Sequence, residues 1–221
     1  SAEQKKEWLP LMLEGKRGFA FGITEPAHGS DATHMETNAV RDGDGWKING
    51  AKTWNTGIHK AQYDMVMART SGKAGDGDGI TAFLTPLDAE GAKIEEFLWT
   101  FNMPTDHGTV SFKDVYVDNS AIFGEEGHGL QIVQHFFNEN RIRQAASSLG
   151  AGQYCINESI LYAGERKPFG KALSANQGIQ FPLVELQTQA EMLRALIQKT
   201  AWQMDKYGAF AVSDKVSMCN Y

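Results

Sequence analysis

The sequence predicts an α+β protein: a β-barrel or packed two-sheet domain, followed by the long helices of an incomplete antiparallel helical bundle. Two observations carry this. Between residues 17 and 124, short apolar runs alternate with Gly, Pro, Asp and Asn, the pattern of strands closed by turns. From about Gly129 the apolar residues recur at intervals of three and four, the period of helices. These patterns set expected boundaries at 1–16, 17–124 and 125–221.

The strands come in order. Gly18 to Ile23 is short, apolar and aromatic. Thr37 to Arg41 and Trp46 to Asn49 flank Asp42-Gly43-Asp44-Gly45, a hairpin turn. Asn49-Gly50 reads as a second turn leading into Ala51 to Thr56. Tyr63 to Arg69, Ile80 to Leu87, Lys93 to Trp99 and Thr109 to Val117 follow, and in the last a bulge is expected near Lys113-Asp114. Six or more such strands imply a barrel or two packed sheets.

Leu130, Val133, Phe137, Ile142, Ala145, Leu149, Ile156, Ile160 and Ala163 then mark a helix of some thirty residues, roughly 50 Å long. Lys167-Pro168-Phe169-Gly170 breaks it. A second helix is expected from about Asn176 to Lys206, with Pro182 either in its first turn or kinking it. Side by side, the two start an antiparallel bundle. At the other end, Trp8-Leu9-Pro10 reads as a helix finishing against a proline, and Ser213 to Tyr221 as a helix that starts and stops; the chain is expected to be a fragment.

Apolar content of 42% and charged content of 22% are those of an ordinary globular protein. A net charge of −6 argues against nucleic acid, which favours a basic face. No apolar run is long enough to cross a bilayer. Cys155 and Cys219 fit no ligand or disulfide spacing and are expected to be buried free thiols. They suit a reducing compartment, taken as the cytoplasm with the mitochondrial matrix as the alternative. His34, His59, His107, His128 and His135 lack zinc spacing, the Asp-Gly turns lack a calcium loop's closing Glu, and no metal is expected. His107 reads as a loop residue rather than a catalytic one.

Two segments could carry chemistry. Thr24-Glu25-Pro26-Ala27-His28-Gly29-Ser30-Asp31 is a polar loop directly after the first strand. It could hold a phosphate or a planar polar edge, or simply connect two strands. Trp54 and Thr56 alternate along a strand and share a face, which suits either an aromatic heterocycle or core packing.

Together these residues resemble the acyl-CoA dehydrogenase family. Phe21-Gly22-Ile23-Thr24-Glu25-Pro26 is similar to its first flavin segment, and Lys52-Thr53-Trp54-Asn55-Thr56 to its second, with Asn55 in place of an aliphatic residue. Glu165-Arg166-Lys167-Pro168-Phe169-Gly170 with Asn176-Gln177-Gly178-Ile179-Gln180 is similar to the segment joining its first two C-terminal helices. The resemblance covers nearly the whole chain. It makes 1–16 the end of an N-terminal helical domain, 17–124 the flavin-binding β-domain and 125–221 the start of the C-terminal bundle.

The resemblance implies FAD as cofactor. Phe21, Ile23 and Thr24 would line its ring, Trp54 would pack on it, and Thr56 would hydrogen-bond near N5; Ser30 belongs to the same set. Arg166, Phe169 and Gln177 would reach the FAD of a neighbouring subunit, so a homo-oligomer, dimer or tetramer, is implied. Arg suits a pyrophosphate because its planar fork bonds two oxygens at once. Ser30, Asn138 and Arg141 would contact an acyl-CoA substrate. The implied reaction removes an α-proton with a carboxylate while hydride leaves Cβ for the flavin, and electrons pass on to an electron-transfer flavoprotein. A minority of the family place that base where Asn140 stands, and an amide cannot act as one. Glu139 lies next to it, rotated about 100° around the helix, so the base is expected beyond Tyr221 and the chain alone is expected to be inactive. A flavin oxidase or monooxygenase on the same scaffold, or a non-catalytic binding scaffold, are the alternatives.

Overall fold

A computed structural model describes residues 1–102 and 105–221. It forms two compact units, Ser1–Val133 and Gln134–Tyr221.

The first unit opens with α1 (Ala2–Leu13), capped by the Ser1 hydroxyl accepting from the Gln4 N–H at 3.1 Å. The helix does not finish at Pro10. Proline forfeits its own N–H bond, but its carbonyl still accepts from Glu14 at 3.1 Å, and the turn closes beyond it. Gln4 holds the helix down by donating to the carbonyls of Ser120 and Ile122, each at 2.9 Å. Trp8 meets Tyr63 edge-on at 4.7 Å, and the Arg17 guanidinium lies over the Trp8 ring at 4.7 Å.

Seven strands follow: β1 (Phe19–Gly22), β2 (Asn38–Asp42), β3 (Gly45–Thr56), β4 (Tyr63–Arg69), β5 (Ile80–Pro86), β6 (Ala92–Thr100) and β7 (Met103–Asp118). They form one mixed sheet in the order β1-β4-β2-β3-β7-β6, with β5 also paired to β4. β4 carries β5 antiparallel along one edge. Its other edge is shared, with β1 parallel over Tyr63 to Val66 and β2 meeting it at Arg69. Trp46 on β3 and Phe83 on β5 are far apart in this order, yet their rings meet edge-on at 5.6 Å. The sheet therefore curls over one core, which also holds Ile48, Val66, Val110, Phe112 and Val115. It remains open, so packing of its two halves, rather than closure into a barrel, buries the apolar face.

Asn49-Gly50 is not a turn. β3 runs through it unbroken, paired to β2 on one side and β7 on the other. Gly50 is needed there for space and φ: its φ is 144°, and a Cβ would fall 2.4 Å from the Thr37 hydroxyl. The expected bulge is present, since Ile48 faces Val115 and Gly50 faces Phe112, and Asp114 takes a φ of 51°.

In the second unit, α2 (Gly129–Glu165, whose first turn belongs to the first unit), α3 (Gln177–Tyr207) and α4 (Ser213–Asn220) pack together. Ala145, Ile197 and Cys219 form the core, with Ile142, Leu149, Leu193 and Leu196 around it. Further along, Gln153 bonds Gln187 at 2.8 Å, and Ile160 and Ala163 border a groove with Ile179 and Leu183. Rising numbers on α2 thus meet falling numbers on α3, so the helices are antiparallel. Pro182 lies inside α3, past its first turn. Cys219 is buried as expected, but Cys155 is exposed because it points off the α2 face that packs on α3 and α4. Among the described residues no helix is long and apolar enough to cross a membrane.

Candidate flavin site

The loop after β1 is closed by its own glutamate. The Glu25 carboxylate accepts from the backbone N–H of Glu36 at 2.6 Å and of Thr37 at 2.9 Å, drawing both ends of the loop together. It also pairs with the Lys52 ammonium at 2.8 Å, with both side chains almost wholly buried. Lys52 donates in addition to the Ile23 carbonyl at 3.2 Å, and the Thr53 N–H donates to the Thr24 carbonyl at 2.9 Å. Three contacts thus lock residues 23–25 against residues 52–53. Burial pushes the Glu25 carboxyl up, but Lys52 and the hydrogen bonds from Thr37 and Glu36 outweigh it and hold the carboxyl below its usual range. Burial draws the Lys52 ammonium down, with Glu25 opposing it.

Just past this lock, β3 bulges. Lys52 faces Val110 and Asn55 faces Gly108, leaving three β3 steps against two on β7. Trp54 sits at the bulge with φ 63°, a conformation that costs a non-glycine residue on the order of 1–3 kcal/mol. The residue is 51% exposed, so core packing does not repay that cost among the described residues. Thr56 also faces outward, and its hydroxyl lies 3.0 Å from His107 Nδ1. The loop reading of His107 is therefore corrected: β7 begins at Met103, and the imidazole stands opposite Thr56 in the ladder, its ring 6.4 Å from that of Trp54. The sequence missed it because no apolar alternation marks this end of β7.

Between Trp54 and Thr56, Asn55 points inward and is fully buried. Its amide donates to Asp64 Oδ2 at 2.5 Å. Burial pushes the Asp64 carboxyl up to about 7, with Lys52 and the Asn55 bond acting against the rise. Gly22 leaves room for this pair, since a Cβ there would stand 2.8 Å from Asp64 Oδ2. The departure at Asn55 thus has a structural partner that an aliphatic side chain could not serve.

The other expected site residues fall in three groups. Phe21 is half-buried on β1, the Ile23 side chain is buried (7% exposed), and Thr24 is half-buried at the lock. Ser30 is exposed on the loop. On α2, Asn138 is buried, with its Oδ1 unpaired, Glu139 is exposed, Asn140 accepts from Arg143, and Arg141 stacks over Phe137 at 5.8 Å. Arg166 and Phe169 are exposed on the connector between α2 and α3, where Phe169 takes φ 55°, and Gln177 is exposed at the first position of α3. A cleft of about 740 Å³ beside α1, lined by Trp8, Tyr63, Leu84 and Tyr116 among others, contains none of these residues.

Residues 20–115 match the family model described as "Acyl-CoA dehydrogenase, middle domain", and residues 127–221 the one described as "Acyl-CoA dehydrogenase, C-terminal domain". The chain belongs to the acyl-CoA dehydrogenase family. That family is one of FAD-dependent oxidoreductases. The chain is 34% identical to the 3-(aryl)acrylate reductase of Clostridium sporogenes over 206 residues, 92% of this chain and 54% of that protein. It is 32% identical to the mitochondrial short-chain specific acyl-CoA dehydrogenase of Mus musculus over 213 residues, 95% of this chain and 51% of that protein. The solved structure of butyryl-CoA dehydrogenase from Megasphaera elsdenii superposes with a TM-score of 0.87 at 30% identity, covering 99% of this chain and 59% of that one. The chain thus spans about half the length of the curated relatives it matches.

The exposed face also suits the cofactor on its own chemistry. Trp54 offers a flat apolar wall, Thr56 a hydroxyl able to donate or accept, and neither is consumed by the core.

Proposed function

We propose that this chain belongs to a flavoprotein that holds FAD on the Trp54–Thr56 face and oxidises an acyl-CoA thioester at its Cα–Cβ bond. The observation that carries the reading is the strained, half-exposed Trp54 beside the outward Thr56 hydroxyl, with Thr24 locked alongside. Bound there, the flavin would supply hydride acceptance, which no side chain can. The chain's own part is to wall the ring with Trp54, present the Thr56 hydroxyl near N5 and hold the Thr24 segment at its edge. A relative named as a short-chain specific acyl-CoA dehydrogenase supports this reading.

Arg166, Phe169 and Gln177 are the residues we assign to the FAD of a second copy in a dimer or tetramer. A fully exposed Phe169 in a left-handed conformation is an odd feature unless something covers it. Ser30, Asn138 and Arg141 are assigned to the acyl-CoA, and an electron-transfer flavoprotein is the proposed acceptor. Glu139 is exposed and Asn140 is held by Arg143, so we look for the proton-abstracting carboxylate outside this stretch of α2. A base at the right place typically contributes about 10²–10⁴-fold in rate.

In the full-length protein, Trp54→Ala and Thr56→Ala are expected to lower flavin occupancy or slow flavin reduction several-fold, with the far-ultraviolet dichroism unchanged. Flavin absorbance per protein and stopped-flow bleaching by acyl-CoA measure this. Two variants with normal occupancy and normal bleaching would remove the flavin from this face.

A further inference from the structure

We propose that His107 is a positioning residue that sets the direction of the Thr56 hydroxyl, and so decides whether Thr56 donates or accepts toward the ring bound on the Trp54–Thr56 face. This rests on the reading of that face as the flavin site. Thr56 and His107 are directly opposite in the β3–β7 ladder, and Nδ1 lies 3.0 Å from the hydroxyl. The other ring nitrogen, Nε2, faces Asp106 Oδ2 at 3.9 Å, which favours a proton on that side.

The consequence follows from counting protons. A neutral imidazole protonated on Nε2 offers Thr56 a bare Nδ1 lone pair, so the hydroxyl must donate inward and shows only lone pairs outward. An imidazolium carries a proton on Nδ1 as well, donates it to Thr56 Oγ1, and frees the hydroxyl proton to point outward. Histidine side chains as a class change charge between about pH 5 and 8. The reactive ring nitrogen of a flavin accepts a hydrogen bond when oxidised and donates one when reduced, so each redox state prefers a different direction of the hydroxyl.

The surroundings leave His107 as the group that can drive this. Asp106 is beside it, and His59 Nδ1 lies 3.9 Å from the other oxygen of Asp106. On β6 the opposing residue is Leu98, and Phe97 to Thr100 carries no ionisable side chain. On β3, Trp54 to Thr56 carries none either. His59 faces Asp106 and provides the control.

The test follows the visible spectrum of the oxidised flavin in the full-length holoprotein from pH 5 to 9. One inflection is expected in the wild type and in His59→Gln. It should be lost in His107→Gln, whose amide does not titrate, and lost in Thr56→Val, which keeps the imidazole but removes the hydroxyl. No inflection in the wild type, or one that survives His107→Gln, overturns the proposal. So does an inflection lost in His107→Gln but kept in Thr56→Val, because His107 would then act through its charge alone. If any of these occurs while Trp54→Ala still loses flavin, the site stands and only the positioning role falls. A full-length protein that binds no flavin removes both.

Discussion

Lys52→Met is expected to destabilise the β-unit by about 3–5 kcal/mol, the usual result of leaving one member of a buried ion pair unpaired. Lys52 is fully buried and Glu25 nearly so, and the Lys52 ammonium is what holds the Glu25 carboxylate in the closed loop. Methionine has similar length but leaves that carboxylate facing an apolar group. The chain can respond by protonating Glu25, which weakens its bonds to Glu36 and Thr37, or by opening the loop. Either response releases residues 23–25 from residues 52–53, so flavin occupancy should fall with stability. Adding Glu25→Gln to Lys52→Met should recover part of the loss, because a neutral pair carries no uncompensated charge. Urea unfolding followed by tryptophan fluorescence measures both variants. A loss below about 1 kcal/mol for Lys52→Met, against the 3–5 expected of a buried pair, would show that water reaches the pair and that the lock is not structural.

The second large effect is a pH dependence centred on Asp64. Its folded carboxyl is raised by burial to about 7, whereas an unfolded Asp titrates near about 3.9. Between those values the folded chain holds a proton that the unfolded chain has released, so the folded state binds more protons and stability falls as pH rises. The contribution is fully present below about pH 4 and is lost as pH passes about 7, a change of at most about 4 kcal/mol at 1.36 kcal/mol per pH unit. Glu25, shifted the other way, adds stability above the ordinary carboxylate range and loses it in acid, giving a slope of opposite sign. Comparison with Asp64→Asn separates the two, because the variant keeps Glu25. Asp64→Asn should be relatively more stable at pH 8 than at pH 5, measured as the difference from wild type in urea midpoint. Parallel pH profiles for the two proteins would place Asp64 in contact with water and contradict the burial.

Much of this was legible in the sequence, for stated physical reasons. The change of period at Gly129 predicted where α2 begins, and Lys167-Pro168-Phe169-Gly170 where the two long helices part. Asp-Gly marked the β2–β3 hairpin, where Asp42 pairs Gly45. Asn49-Gly50 carries the same turn signal but sits in a strand, because neighbours on both edges supply ladder bonds that a local turn would forfeit. Local chemistry alone could not separate these two cases.

The candidate site was legible only as segments. Trp54 and Thr56 were placed on one face by alternation. They share it despite a bulge that alternation did not foresee, since Trp54 takes a left-handed conformation. The lock between Glu25 and Lys52 depends on a contact 27 residues apart in sequence. No local signal marks it, because Lys52 stands among Asn49, Thr53, Asn55 and Thr56, where a solvated lysine would be unremarkable. Asn55 read as a mere departure until Asp64 supplied its reason, and His107 read as a loop residue because its role depends on a strand beside it rather than on its own neighbours.

The most direct test of an FAD-dependent acyl-CoA oxidation is to purify the full-length protein, release its flavin by heat, and add acyl-CoA thioesters anaerobically to the intact holoprotein. A yellow protein is expected, whose released flavin is FAD, with Arg166 serving the pyrophosphate that FMN lacks, and whose visible absorbance bleaches with an acyl-CoA. FMN as the sole flavin, or FAD that no acyl-CoA can bleach, would contradict it.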